Sequence, residues 1–220
     1  MVEKLVIFGN GQVAELAYAR FKHEARYEVV GFAVDRSHLR EPLLRGLRVV
    51  AFEDVEREFP AESVSMFIAV GPVQTNRIRA DRFLQARRLG YRFVSYVSSH
   101  AIVDPEVRIG ENCSIGEGAI VHPYVRIGDN VRIGSASMIG HHCVLEDHCF
   151  LTANCVLAGS VSIGARAFLG ASATIRDRIN IGEACIIGAG ATIVRDTVPE
   201  SVHVAPDSIQ LPTSSGRIKL

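Results

Sequence analysis

From Ile109 to Ile193 every sixth residue is aliphatic, with no insertion: Ile109, Ile115, Val121, Ile127, Ile133, Ile139, Leu145, Leu151, Leu157, Ile163, Leu169, Ile175, Ile181, Ile187 and Ile193. Glycine follows the aliphatic at Gly110, Gly116, Gly128, Gly134, Gly140, Gly164, Gly170, Gly182 and Gly188, and the position four after it is small or β-branched. A strand alternates its faces every two residues, so a six-residue module supplies one strand of about four residues and a corner. Three modules close one triangular turn. The inward aliphatics then stack about 4.8 Å apart from turn to turn, and the adjacent glycines are expected to take up corner dihedrals that a side chain resists. Val97 and Val103 carry the phase backwards, which predicts a coil over residues 97–198, stopped by Pro199.

Residues 1–96 follow a different rhythm. Apolar runs at Leu5–Gly9, Tyr27–Asp35, Val49–Phe52, Met66–Gly71 and Arg92–Val97 alternate with amphipathic stretches at Ala14–Lys22 and Asn76–Leu89. That is a βαβ pattern with a parallel sheet. Its first turn, Gly9 to Ala14, reads G-N-G-Q-V-A between a strand and a helix, and amides opening the helix there are placed to cradle a phosphate. Ala14 replaces the third glycine of the dinucleotide fingerprint, and about five strands are too few for a full dinucleotide fold. A mononucleotide head group fits better. Ligands of open sheets bind at the carboxyl ends of the strands, which nominates Gly9, Asn10, Gly11, Asp35, Arg36, Ala69, Val70 and Gly71. Asp35 would accept from a ribose hydroxyl or base imide and Arg36 would meet phosphate, unless the two form only a solvated turn.

Composition narrows the class. Lys and Arg number 24 against 24 Asp and Glu, which gives no broad basic footprint for nucleic acid. No apolar stretch is long and uninterrupted enough to span a bilayer, and the start MVEKLVIFGNG lacks a signal-peptide pattern. Cys113, Cys143, Cys149, Cys155 and Cys185 each sit four residues after an aliphatic, a phase shared with Ala119, Ser137, Ala167, Ala173 and Ala191. Spacings without a C-x-x-C pair argue against a metal cluster. The cysteines read as small apolar residues in tight corners, and five buried free thiols predict a cytoplasmic protein.

A short Rossmann-like domain running into hexapeptide repeats with I-G-H-H-C-V-L (residues 139–145) resembles the bacterial sugar acetyltransferases of the sialic acid O-acetyltransferase and nucleotide-amino-sugar N-acetyltransferase group. The resemblance covers nearly the whole chain. It implies an α/β N-terminal domain (1–96) that grips a nucleotide sugar, an all-β left-handed parallel β-helix (97–198), and a C-terminal tail (199–220). It also implies a homotrimer with sites between subunits, and acetyl-CoA as donor with no metal.

Carried over by position, the family's catalytic histidine falls on His141, where an imidazole suits general-base chemistry at neutral pH. An acidic residue follows that histidine in better-known members; here it is His142. The orienting acid is then Glu146, Asp147, a neighbouring subunit's side chain, or none. His122, His141, His142 and His148 with these acids also raise a zinc reading, but their spacings depart from those of the β-helical carbonic anhydrases. The resemblance places the pantetheine arm along Gly159, Gly170, Ala171, Gly188, Ala189 and Gly190, with Arg195 on the coenzyme's phosphates. Phe150 stands where some members carry a second histidine that contacts coenzyme or acceptor. Val204, Ala205 and Pro206 resemble the family's closing segment, and Arg217 and Lys219 are read as solvated. The expected activity is acetylation of an amino group on a nucleotide-linked amino sugar. The alternatives are O-acetylation of sialic acid or another small hydroxyl acceptor, and a non-catalytic trimeric scaffold.

Overall fold

The computed structural model describes residues 2–208 and Pro212. Arg217 and Lys219 lie outside the described residues. The N-terminal domain contains β1 (Glu3–Phe8), α1 (Gln12–Phe21), β2 (Tyr27–Val34), β3 (Leu43–Leu44), β4 (Leu47–Ala51), α2 (Val55–Glu58), β5 (Ser65–Ile68), α3 (Arg77–Arg88) and β6 (Arg92–Phe93). The sheet order is β3-β4-β2-β1-β5-β6. All pairings are parallel except the β3–β4 edge hairpin. Two apolar layers pack on its faces, one around Phe21, Phe32 and Phe67 and the other around Phe52, Phe59 and Phe83. The hairpin and α2 were not predicted, because strands and helices this short carry too few periods to register as a pattern.

From Tyr96 to His203 the chain is the left-handed parallel β-helix expected of the repeat. Each turn takes eighteen residues and three two-residue strands, shorter than the four predicted, and every strand pairs in parallel with the strand one turn on. The aliphatics stack as a dry interior column. A last strand, Val202–His203, pairs with Ile186–Ile187 beyond Pro199.

The corner chemistry differs from expectation. Most residues in the left-handed conformation are not the glycines but the residues two places further on, including Asn112, Asn130, Ala136, His142, His148, Asn154 and Arg166. The glycines serve close approach instead: a Cβ on Gly134 would lie 2.4 Å from Thr152 backbone, and one on Gly110 would lie 2.6 Å from the Gly128 carbonyl oxygen. The cysteines are buried and free. Their thiols reach carbonyl oxygens of the following turn, as with Cys113 to Gly128 and Cys143 to Ala158, both at 3.1 Å. Burial pushes the Cys113 and Cys149 thiols up to about 12, which removes the reactive thiolate.

One corner of the prism, formed by Asn112, Asn130, His148 and Arg166, carries the N-terminal domain. Asn76, Arg79, Phe83 and Arg87 lie on one face of α3 and its start, at helical spacing. Asn76 donates to the Arg166 carbonyl at 2.9 Å, and Phe83 packs edge-on to His148. Arg87 bridges Glu111 and Asp129. From Asn76 to Arg87 the helix rises about 16 Å, close to the roughly 14 Å of three coil turns, so its contacts run from the Arg166 rung to the Glu111 rung.

Arg79 is the buried centre of this joint. Its guanidinium donates to the Asn130 carbonyl (2.5 Å), Asn130 Oδ1 (2.7 Å), and the carbonyls of His148 (2.8 Å) and Cys149 (3.0 Å). Among the described residues no carboxylate pairs with it, and burial lowers its pKa to about 10. His148 beside it is held neutral, its pKa lowered to about 4 by burial and then by Arg79. Replacing Arg79 with Met strands the Asn130 and His148 carbonyls, while the Cys149 carbonyl keeps the Arg132 amide and Asn130 Oδ1 keeps the Asn112 side chain. Chemical denaturation is expected to show a loss of about 2–5 kcal/mol, from roughly 1–3 for each stranded carbonyl, and an unchanged midpoint would refute the anchoring role.

Candidate functional site

The coil's columns decide which candidate residues meet. Residues eighteen apart stack on one edge, so His141 is followed along its column by Gly159, Asp177 and Arg195. His142 takes the left-handed corner position between Tyr124 and Ser160 of the adjacent turns. Both imidazoles are exposed. Their Nδ1 atoms lie 3.1 Å apart with the ring planes at 86°, and the Tyr124 ring stands 4.8 Å from that of His142.

Gly159 is the floor of this arrangement. A Cβ there would lie 2.6 Å from His141 Cε1 and 2.7 Å from Nε2, so the ring rests directly on the glycine backbone. The residue expected to admit the coenzyme thus also seats the imidazole. Three turns along, roughly 14 Å at the coil's rise, Arg195 shares the edge with Arg176 and Arg178, all exposed. Arg176 and Arg178 were missed because the sequence was read in sixes. Read in eighteens, they fall on the His141 edge.

Several predicted site residues lie elsewhere. Glu146 stands at the α3 corner, in the column of Gly128 and Gly164, and makes no hydrogen bond with His141. Asp147 also sits there, accepting from the Asp129 amide at 2.7 Å. The ring partner of His141 within the chain is His142, not an acid. Phe150 is buried on the face beneath the N-terminal domain, with the guanidinium carbons of Arg132 and Arg79 at 5.1 and 5.5 Å from its ring centre. It belongs to the domain joint and not to the histidine edge. Gly170, Ala171, Gly188, Ala189 and Gly190 line the third corner, with Glu117 and Ser135. In one chain the coenzyme candidates are therefore split between two edges. No group of three or more potential metal ligands occurs among the described residues.

At the acceptor end the predicted residues do converge. Gly9, Asn10 and Gly11 follow β1, Asp35 and Arg36 follow β2, and Gly71 follows β5, and these three strands are neighbours. Gly9 has φ +130°, and a Cβ there would lie 2.5 Å from the Ala69 carbonyl oxygen, so only glycine brings the turn this close to β5. Asn10 donates to the His38 carbonyl at 3.0 Å. Gly11 opens α1 with no side-chain cap, leaving its first amides to a ligand. The charged pair is already engaged. Arg82 of α3 closes on Asp35 with Nε 2.7 Å from one oxygen and Nη2 3.0 Å from the other, and Arg36 meets Asp54 at 2.9 Å.

The sequence profile of the bacterial transferase hexapeptide family (six repeats) matches residues 124–159 and 160–195. No curated protein sequence matches significantly. Among solved structures, PerB from Caulobacter crescentus in complex with CoA and GDP-perosamine is 29% identical, with a TM-score of 0.81 over 93% of this chain and 95% of that one. A histidine-to-asparagine variant of perosamine N-acetyltransferase from the same organism, also with CoA and GDP-perosamine, is 28% identical with a TM-score of 0.83 over 93% and 95%. The acetyltransferase domain of PglB from Neisseria gonorrhoeae is 24% identical, a likeness of fold, with a TM-score of 0.84 over 92% and 97%.

The seat beneath His141 makes a direct prediction. Gly159→Ala leaves the backbone unstrained but pushes the ring outward; an ångström of misplacement costs on the order of 10²-fold in turnover. Melting temperature should hold while turnover falls, and wild-type turnover would show that the seat is immaterial. The chain thus matches the hexapeptide transferase profile over residues 124–195, and over nearly its whole length it is similar in fold to these two-domain sugar N-acetyltransferase structures.

Proposed function

We propose that the protein transfers the acetyl group of acetyl-CoA to the amino group of a nucleotide-linked amino sugar. The observation that carries the reading is a fold shared end to end with an enzyme seen holding CoA and GDP-perosamine, on which this chain presents an exposed imidazole at a basic edge. The amine nitrogen adds to the thioester carbonyl carbon, the carbon–sulfur bond breaks, and the amine proton moves to His141 Nε2 and on to the departing thiolate. A general base in this role contributes about 10²–10⁴-fold. Arg176, Arg178 and Arg195 supply charge for the coenzyme's phosphates, and the turn at Gly9 to Gly11 receives the nucleotide.

The assembly in this reading is a homotrimer in the cytoplasm, which the buried free thiols suit. One prism face carries Ile102, Ile120, Met138, Val156, Thr174 and Thr192 outward, with no charge among them, and Ile102 is 67% exposed. It joins the histidine corner to the Gly170 and Gly188 corner. Packing it around a threefold axis brings the histidine edge of one subunit against the glycine edge of the next, uniting the two halves of the coenzyme candidates. The nearby turn at Gly9 then belongs to the subunit whose glycine edge is used.

Two measurements test this. A panel of nucleotide-linked amino sugars, GDP-perosamine among them, assayed by thiol release should yield acetylated amine; His141→Asn should lower kcat by about 10²–10⁴-fold with acetyl-CoA affinity unchanged. Wild-type turnover in that variant would remove His141 from its role. Met138→Arg, which puts charge on the apolar face, should sediment as monomer and lose activity. A trimer of full activity would place the contact elsewhere.

A further inference from the structure

Two neighbouring imidazoles whose Nδ1 atoms sit 3.1 Å apart constrain each other's protons. Two bare nitrogens at that distance repel, and so do two N–H groups, so the contact holds one proton between them. Only two arrangements of neutral rings satisfy it. With the proton on His142 Nδ1, His141 must carry its own on Nε2 and has no lone pair there. With the proton on His141 Nδ1, Nε2 is bare.

The geometry points to His142 as a positioning residue that accepts the Nδ1 proton of His141 and so leaves Nε2, which lies over Gly159, bare. This inference rests on the reading of His141 as the base. In that arrangement His142 does what an orienting group does for a histidine base: it fixes the tautomer and the ring plane, and it keeps a hydrogen-bond acceptor on the imidazolium once Nε2 has taken the amine proton. No proton need pass between the rings. Tyr124 completes the support. Its exposed ring stands over His142 at 4.8 Å, and the His142 amide donates to the Pro123 carbonyl at 3.2 Å. Beneath, Ser160 donates its amide to the His141 carbonyl at 2.8 Å, and Gly159 seats the ring. Among the described residues no carboxylate bonds either imidazole; the nearest charged groups along the edge stand two turns away on either side, Asp104 and Glu106 before the pair and Arg176, Asp177 and Arg178 after it.

The substitutions follow from atom positions. His142 has φ +59°, a conformation that Gly, Asn and Asp tolerate. Asp Oδ1 occupies the place of histidine Nδ1, so His142→Asp keeps an acceptor there and His142→Gly removes it without backbone strain. In protein labelled with ¹⁵N-histidine, long-range proton–nitrogen spectra, assigned by the signals lost in His141→Asn, should show His141 protonated at Nδ1 and bare at Nε2. His142→Gly should lower kcat roughly 10–100-fold with acetyl-CoA affinity unchanged, and His142→Asp should recover most of it. A proton on His141 Nε2 in the wild-type spectrum overturns the inference. So does wild-type turnover of His142→Gly, and if His141→Asn is inactive in the same assay the base reading survives that failure. Normal turnover of His141→Asn removes both. Should His142→Gly not assemble, the wild-type spectrum decides alone.

Discussion

The distance between successive rungs governs this molecule. A parallel ladder sets it at about 4.8 Å, and eighteen residues per turn repeat it without drift, so any two residues eighteen apart are stacked neighbours. At glycines such as Gly110, Gly134 and Gly140 the neighbouring rung lies too close for a Cβ. That spacing seats the His141 ring on Gly159, aligns Arg195 three rungs away, and presents carbonyls at the interval that α3 can meet. Disturbing it at one rung displaces the site and the domain joint together.

The joint shows how two unlike periodicities are reconciled. A helix offers a contact every turn or so and the coil offers one every rung, and the two lengths nearly agree over the span from Asn76 to Arg87. Arg79 fixes the match, since its planar fork satisfies four oxygens at once where a lysine would satisfy fewer. A buried cation with only neutral partners is costly. The return is a glycine turn at Gly9 to Gly11 held in fixed relation to the prism, so the distance from the first domain to the histidine edge is set by structure and not by a linker.

Much of this was legible in the sequence, and the gaps have physical causes. The aliphatic phase specified the prism because the interior admits one side-chain class, and the apolar runs located every long strand and helix of the first domain. What the six-residue reading could not give was the assignment of residues to corners. Glu146 is five residues from His141 yet at another corner, Gly159 is eighteen away and beneath it, and Gly170 and Gly188 belong to a third edge. Phe150 was misplaced because position in a repeat does not say which face a second domain covers. Arg79 was unreadable in advance: on helical spacing it is an ordinary surface arginine, and only the docking of α3 buries it.

The rung also makes chain length a quantised variable. Gain or loss of a whole turn would translate everything beyond it along the axis while leaving each edge aligned; gain or loss of a single module would rotate all later residues by one corner and carry Arg195 off the histidine edge. Within an unbroken ladder, only multiples of eighteen residues between them keep His141 and Arg195 on one edge. The number of turns there sets the distance between the imidazole and the arginine.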